Sequence, residues 1–145
     1  MQLYFALLFL VPFHTICDCE PLGKISEEQY NSYNIIFAGR VVGIKDGRLE
    51  NVISFKVNTY YKGKQSRDTI KVFTPSSGAS CGISPEIGED WLVFTYYLDT
   101  KVKTMLCTRT KRMNSNSLDY EKEELGNDLK FLEAKKDRSL SNNAQ

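Results

Sequence analysis

Two of the four cysteines in this 145-residue chain are separated by a single residue, in the sequence Cys17-Asp18-Cys19. The other two, Cys81 and Cys107, stand alone. Zinc sites usually take their cysteines from CxxC pairs, whereas an even number of cysteines in a small exported domain is typical of disulfides. We therefore predict two disulfides. A Cys17–Cys19 bond would close a strained ring, so each of these residues is expected to bond to Cys81 or Cys107, and both pairings remain open.

The spacing of Cys17 and Cys19 also predicts how their segment lies. Residues two apart in an extended segment point to the same face, so both sulfurs would be directed into the body of the domain. The segment would then lie flat across the domain and be tied to it twice. On the chain-entropy model, each long loop closed in this way adds about 4 kcal/mol of stability, with less from the second bond.

Residues 1–16 are expected to be a secretory signal peptide. Residues 3–13 are apolar apart from Tyr4, a run too short to span a bilayer but suited to the core of a signal. His14 and Ile16, three and one residues before Cys17, are larger than signal peptidase prefers. A lipid-anchored Cys17, an uncleaved anchor and a buried N-terminal segment are therefore the alternatives. The predicted location is extracytoplasmic: secreted, periplasmic or in the cell envelope.

The only histidine of the chain, His14, falls within this leader. Cleavage before Cys17 would leave the mature protein without histidine, which excludes Ser-His and Cys-His nucleophile pairs and His-ligated metal sites. A hydrolase built on paired carboxylates is a minor alternative, because the close acidic residues are more simply explained as solvated turns and helix faces. We therefore predict that the protein is not an enzyme, has no metal site of its own and needs no cofactor.

The formal net charge is +1, so no global field attracts nucleic acid or an anionic membrane. Tyr60, Tyr61, Tyr96 and Tyr97 could stack bases, but we expect no nucleic-acid binding. Four cations lie on the last predicted strand and its exit: Lys101, Lys103, Arg109 and Lys111. They form either a weak polyanion-binding stripe or, more simply, the positive charge that protects an edge strand from aggregation.

The pattern of apolar residues predicts one short helix and then about five antiparallel strands. Ser26 and Gln29 form a capping box at the start of the helix. In the second strand, Ile53 and Phe55 face inward and Lys56 faces outward. Strands of this length can bury their edges by curling into a small closed barrel. The predicted elements are a helix at 24–34 and strands at 35–44, 51–63, 68–74, 91–98 and 101–109, the last of which carries Cys107.

A second helix is predicted at 118–136, and its apolar stripe is expected to pack on the barrel. The stripe consists of Leu118, Leu125, Leu129 and Leu132. Gly126 weakens this helix by about 1 kcal/mol relative to alanine. The predicted organisation is therefore a barrel domain at 17–112, a C-terminal helix within 113–136 and a flexible tail at 137–145.

An ordered set of short motifs resembles the netrin-like domain. More closely, it resembles the N-terminal domain of tissue inhibitors of metalloproteinases and its short bacterial relatives. The motifs are CDC, IFAGRVV, VNTYYKG, ASCGISPEIGEDWLVF and LCT, in chain order, and the likeness covers about residues 17–110. The resemblance implies a five-stranded OB-type closed barrel, with Cys17 bonded to Cys81 and Cys19 to Cys107.

The resemblance also implies a function. In these inhibitors the α-amine and carbonyl of the first mature cysteine chelate the zinc of a target metalloprotease, a role that would fall here to Cys17. The next residue enters the specificity pocket of the protease and is usually small and neutral. Here it is Asp18, which an apolar pocket would desolvate at a cost of several kcal/mol. We therefore predict a secreted protein-binding module that inhibits a metalloendopeptidase through Cys17, Asp18 and Cys19. The alternative is an envelope or extracellular adhesion domain, lipid-anchored at Cys17, without inhibitory activity.

Overall fold

The computed structural model describes residues 17–63, 66–113 and 119–142. The predicted signal peptide at 1–16 lies outside the described residues, as does Leu118 of the predicted stripe. The elements are, in chain order, α1 (Glu27–Ser32), β1 (Ile35–Lys45), β2 (Glu50–Lys62), β3 (Thr69–Pro75), β4 (Asp90–Leu98), β5 (Lys101–Lys103), β6 (Lys111–Arg112) and α2 (Asp119–Asn142). Within the described ranges no helix is long and apolar enough to cross a membrane.

The short first helix begins where its capping box predicts. The Ser26 hydroxyl accepts a hydrogen bond from the Gln29 backbone N–H at 3.1 Å, and the Gln29 side-chain carbonyl accepts one from the Ser26 N–H at 3.2 Å. Two of the otherwise unpaired N–H groups at the helix start are thereby satisfied. The chain then enters β1, whose first residues Ile35 and Ile36 are buried.

Five strands close into a barrel, as predicted. The long strand β1 pairs antiparallel with both β2 and β4, β2 pairs with β3, and β4 pairs with β5. Closure is completed by a parallel contact of β3 with β5 at Phe73 and Lys103. Irregular register in the β1–β2 ladder lets β1 bend between its two partners. Gly39 lies at one such irregularity, where a β-carbon would come within 2.8 Å of the Lys56 carbonyl oxygen.

The barrel interior and the outer face of β1 and β4 form two separate cores. Inside, residues on alternate positions of the strands pack together, with Phe37 and Phe55 edge to face at 5.5 Å between ring centroids. Outside, Ile36, Leu92 and Phe94 are covered by Leu132 of α2. Because β1 and β4 are buried on both faces, their sequences read as continuous apolar runs rather than as alternation.

The C-terminal helix packs on the barrel as predicted but extends further along the chain. Leu125 and Leu129 are partly buried against the outer core, and Leu132 is fully buried there. The helix continues to Asn142, so its last turns occupy positions 137–142 that were predicted as a loose tail. The remaining predicted tail residues, 143–145, lie outside the described part of the chain.

The prediction of one continuous strand over 101–109 is wrong. β5 ends at Lys103, and Cys107 lies in a turn closed by a hydrogen bond from the Thr108 N–H to the Met105 carbonyl at 3.1 Å. Buried threonine hydroxyls replace the missing ladder with β4. Thr110 Oγ1 accepts from the Phe94 N–H at 2.9 Å, and Thr104 Oγ1 donates to the Phe94 carbonyl at 2.9 Å. Since hydroxyls satisfy these backbone groups, the segment can leave the sheet and carry Cys107 toward the N-terminal segment.

The inward-facing register carries a testable prediction for stability. Phe55 and Val93 are fully buried in the barrel core, whereas the neighbouring Lys56 is exposed. Phe55→Ala and Val93→Ala should each lower the free energy of unfolding by about 1–5 kcal/mol, because each leaves a cavity. The matched control Lys56→Ala should change it by less than about 0.5 kcal/mol. Urea unfolding measures all three, and a Lys56→Ala loss larger than the other two would mean that the register of β2 is inverted.

Candidate functional site

Two disulfides fix the N-terminal segment to the barrel. Cys17 is bonded to Cys81 and Cys19 to Cys107, which is the pairing that the resemblance implies. The bonds lie side by side, with Cys17 Sγ 3.6 Å from Cys107 Sγ and 3.9 Å from Cys19 Sγ. Disulfides of this kind persist in oxidising compartments, so they indicate an extracytoplasmic protein.

Residues 17–20, which we call the N-terminal ridge, alternate in exposure. Cys17 and Cys19 are half-buried, whereas Asp18, which lies between them, and Glu20, which follows Cys19, are exposed. This is the i, i+2 arrangement expected of an extended segment whose alternate side chains are tied down. The backbone of Cys17 and the Asp18 carboxylate are therefore held at the surface on a segment that is bonded to the barrel at two points.

The loop that carries Cys81 is itself closely constrained. A single 3₁₀ turn at Gly78–Ser80 is capped by the Ser77 side chain, and Cys81 follows in a left-handed conformation with φ of 64°. A side chain at Gly82 would place its β-carbon 2.0 Å from the Pro75 carbonyl oxygen, so only glycine fits there. The Cys81 carbonyl accepts a hydrogen bond from the Leu106 N–H at 2.7 Å. This hydrogen bond holds Cys81 beside Leu106, the residue before Cys107, independently of both disulfides.

A buried arginine anchors the chain just after the ridge. Arg109 has no solvent exposure, and its guanidinium contacts Asp128 of α2 through Nε at 3.0 Å and Nη2 at 2.6 Å. The same group donates to the carbonyls of Leu22 at 3.2 Å and Gly23 at 2.6 Å, and to the Gln29 side-chain oxygen at 3.3 Å. All of the donors of this guanidinium are used, as a buried charge requires. Arg109 therefore joins the N-terminal segment, α1, the barrel and α2.

A groove of about 640 Å³ lies beside the ridge. Cys17, Cys19 and Glu20 form one side of it, Trp91 and Arg112 belong to the barrel side, and the first turns of α2 complete it. The indole N–H of Trp91 donates to Glu89 Oε2 at 3.0 Å, and Arg112 Nε makes a 3.0 Å ion-pair contact with Glu89 Oε1 without hydrogen-bond geometry. The Glu89 carboxylate therefore contacts both Trp91 and Arg112 on the barrel side of the groove.

The four cations of the predicted polyanion stripe do not form a common surface. Lys101 and Lys103 both contact Glu50, and their hydrogen bonds hold the pKa of the Glu50 carboxyl below its usual value. Lys111 Nζ lies 3.0 Å from Glu124 Oε2 and 3.3 Å from Asp128 Oδ2. Arg109 is buried in the contacts described above. Each of the three lysines therefore contacts a carboxylate, and Arg109 is buried away from ligands in solvent.

Sequence reasoning missed the partner of Arg109, although a signal for it was present. Asp128 lies three residues after Leu125 and one before Leu129, so it interrupts the apolar stripe of α2 on its buried side. A charged residue on a buried stripe requires a partner of opposite charge. Nothing local indicates that this partner is Arg109, which is 19 residues away along the chain.

Comparison with protein-family models gives no match for this chain. Curated proteins likewise include none with significant sequence similarity to it.

Proposed function

We propose that this protein is an extracytoplasmic inhibitor of a zinc metalloendopeptidase, built on a netrin-like barrel and acting through a mature N-terminus at Cys17. The proposal rests on the disulfide-tied ridge, because two bonds one residue apart fix the backbone of Cys17 relative to a rigid barrel. A group that is already fixed loses little conformational entropy on binding. The protein performs no reaction of its own and needs no cofactor.

The chemistry requires a free α-amine at Cys17. An α-amino group has an ordinary pKa of about 8, so its neutral form is accessible near neutral pH and can be held by a metal ion. The amine and the carbonyl of one residue form a five-membered chelate with zinc. By filling these positions the inhibitor would displace the water that the protease uses as its nucleophile. The zinc belongs to the target protease and not to this chain.

Asp18 determines which proteases the ridge fits. Its side chain is exposed, so its carboxylate would give up hydration on entering a pocket of the target. In an apolar pocket that loss has no compensation and costs several kcal/mol. In a pocket that carries a lysine or arginine, the same carboxylate would gain a charge-assisted hydrogen bond.

Replacing Asp18 with threonine should therefore tighten inhibition of metalloproteases with an apolar specificity pocket, mainly through slower dissociation. Proteases with a cationic specificity pocket should instead be inhibited more weakly by Asp18→Thr than by the wild type. The measurement is the inhibition constant of protein beginning at Cys17, for wild type and Asp18→Thr, across a panel of zinc metalloproteases that includes both kinds of pocket.

Glu20→Gln serves as the matched control, because it removes an exposed ridge charge that lies beyond the second cysteine. It should change inhibition less than Asp18→Thr does. If no protease in the panel is inhibited by either form, the chelation proposal fails. The domain would then bind partners through its surface, as the adhesion alternative predicts.

A further inference from the structure

We propose that the four cysteine sulfurs form a four-thiolate site for a soft divalent metal ion, Zn²⁺ above all, when the two disulfides are reduced. The site and the disulfides exclude each other, because each uses the same sulfur atoms. This inference does not rest on the inhibitory function. It follows from the way the fold gathers all four cysteines at one place.

Two of the sulfur–sulfur separations between the disulfides already suit such a site. Zinc–sulfur bonds of about 2.3 Å in a tetrahedron put neighbouring sulfurs about 3.8 Å apart. Sulfurs on different disulfides are 3.6 Å apart for Cys17 and Cys107 and 3.9 Å apart for Cys17 and Cys19. The sulfurs of Cys17, Cys81 and Cys107 all lie within 4.8 Å of one another, whereas Cys19 Sγ is farther than that from Cys81 Sγ and would have to move toward it. To bind one metal ion after reduction, the two sulfurs of each broken disulfide would have to move apart by less than about 2 Å. This is the difference between a disulfide bond length and the separation of two zinc-bound sulfurs.

Non-covalent contacts keep the cysteines together after the covalent bonds are broken. Arg109 holds the carbonyls of Leu22 and Gly23, only three and four residues beyond Cys19. The hydrogen bond from the Leu106 N–H to the Cys81 carbonyl holds Cys81 against the turn that carries Cys107. The loops left to close are short, so gathering the four thiolates carries a small entropic cost.

The site is also accessible. All four cysteines are half-buried, and Cys17 and Cys19 line the open groove beside the ridge. A metal ion can therefore reach the sulfurs without unfolding of the barrel. An accessible path and a complete ligand set are two of the requirements for a metal site.

An external reductant, such as a phosphine or a dithiol, supplies the electrons that reduce the two disulfides. Each disulfide takes up two electrons and two protons and yields two thiols. Zinc binding then releases up to four protons, because the thiolate is the form that binds metal. Binding to the reduced protein should accordingly strengthen as pH rises.

Cobalt(II) is the probe that tests the proposal, since its visible absorption distinguishes tetrahedral thiolate sites. Protein reduced with a phosphine should bind one equivalent of Co²⁺ with a tetrahedral spectrum, and Zn²⁺ should displace it. The oxidised protein should show no such spectrum. Cys19→Ser, which removes one ligand, should weaken Co²⁺ binding at least about tenfold, and Cys107→Ser should do the same.

Circular dichroism decides the outcome if reduction loosens the fold. Where the reduced protein stays folded, absence of a stoichiometric tetrahedral spectrum overturns the proposal. Where it unfolds, one equivalent of Zn²⁺ should restore the β-rich spectrum, because binding free energy then becomes folding free energy. If zinc does not restore this spectrum, the proposal is overturned. The proposal is also overturned if the reduced protein binds Co²⁺ as tightly in concentrated urea as in buffer, because the fold would then play no part in assembling the site.

Discussion

Replacing Arg109 with methionine should lower the free energy of unfolding by about 3–5 kcal/mol. The change removes a fully buried guanidinium and leaves the equally buried Asp128 carboxylate without its main partner. Lys111 Nζ remains 3.3 Å from Asp128 Oδ2, but without hydrogen-bond geometry. The buried Asp128 carboxylate accounts for most of this cost, since Lys111 alone does not replace the two hydrogen bonds that Arg109 donates to it. Urea unfolding of the oxidised protein measures the difference.

An exposed ion pair gives the matched control. Arg40 binds Asp90 through two hydrogen bonds, at 2.9 and 2.7 Å, with the arginine side chain more than half exposed. Arg40→Met should cost no more than about 1 kcal/mol, because exposed ion pairs contribute little. Equal losses for Arg40→Met and Arg109→Met would contradict the assignment of the effect to burial.

A double replacement separates the charge pair from the anchoring role of Arg109. Arg109→Met combined with Asp128→Leu removes both buried charges and should recover much of the stability lost in Arg109→Met. The carbonyls of Leu22 and Gly23 would still lack their donor. The N-terminal segment of the double variant should therefore be less protected in hydrogen exchange than that of the wild type.

Adding one alanine before a mature N-terminus at Cys17 should weaken inhibition of a susceptible metalloprotease at least about 100-fold, or about 2.7 kcal/mol. The extra residue converts the α-amine of Cys17 into a peptide nitrogen, whose lone pair is shared with the carbonyl and is no longer available to zinc. It also places a side chain where the ridge would approach the metal. The measurement is the inhibition constant of both forms against the same protease.

Two controls show whether this loss reports chelation. Acetylation of the free Cys17 amine should have a comparable effect without adding a side chain, since it forms the same kind of amide. An alanine added after Gln145 should have none. The extended and unextended forms should unfold at the same denaturant concentration, because both keep the Cys17–Cys81 and Cys19–Cys107 bonds. Unchanged inhibition by the alanine-extended form would exclude the amine as a zinc ligand.

Local features of the sequence determined the main elements of this protein. Ser26 and Gln29 predict the start of α1 because a capping box involves only residues three apart. Alternation at Ile53, Phe55 and Lys56 predicts the inward face of β2 because the side-chain period of a strand is two. Four cysteines in a small chain predict two disulfides, and five strands predict closure into a barrel, since small sheets must bury or cover their edges.

The tertiary structure alone decided the break after β5 and the place of Arg109. By its sequence, the segment 101–109 resembles a strand throughout. In the structure, the hydroxyls of Thr104 and Thr110 satisfy the backbone groups of Phe94 where the segment leaves the sheet. Arg109 resembles an exposed cation until α2 places Asp128 beside it. Such pairings join residues far apart in the chain, and no local periodicity encodes them. Burial of Arg109 follows from the packing of α2 on the barrel, because a charge is stable in a protein interior only where the fold supplies its partner.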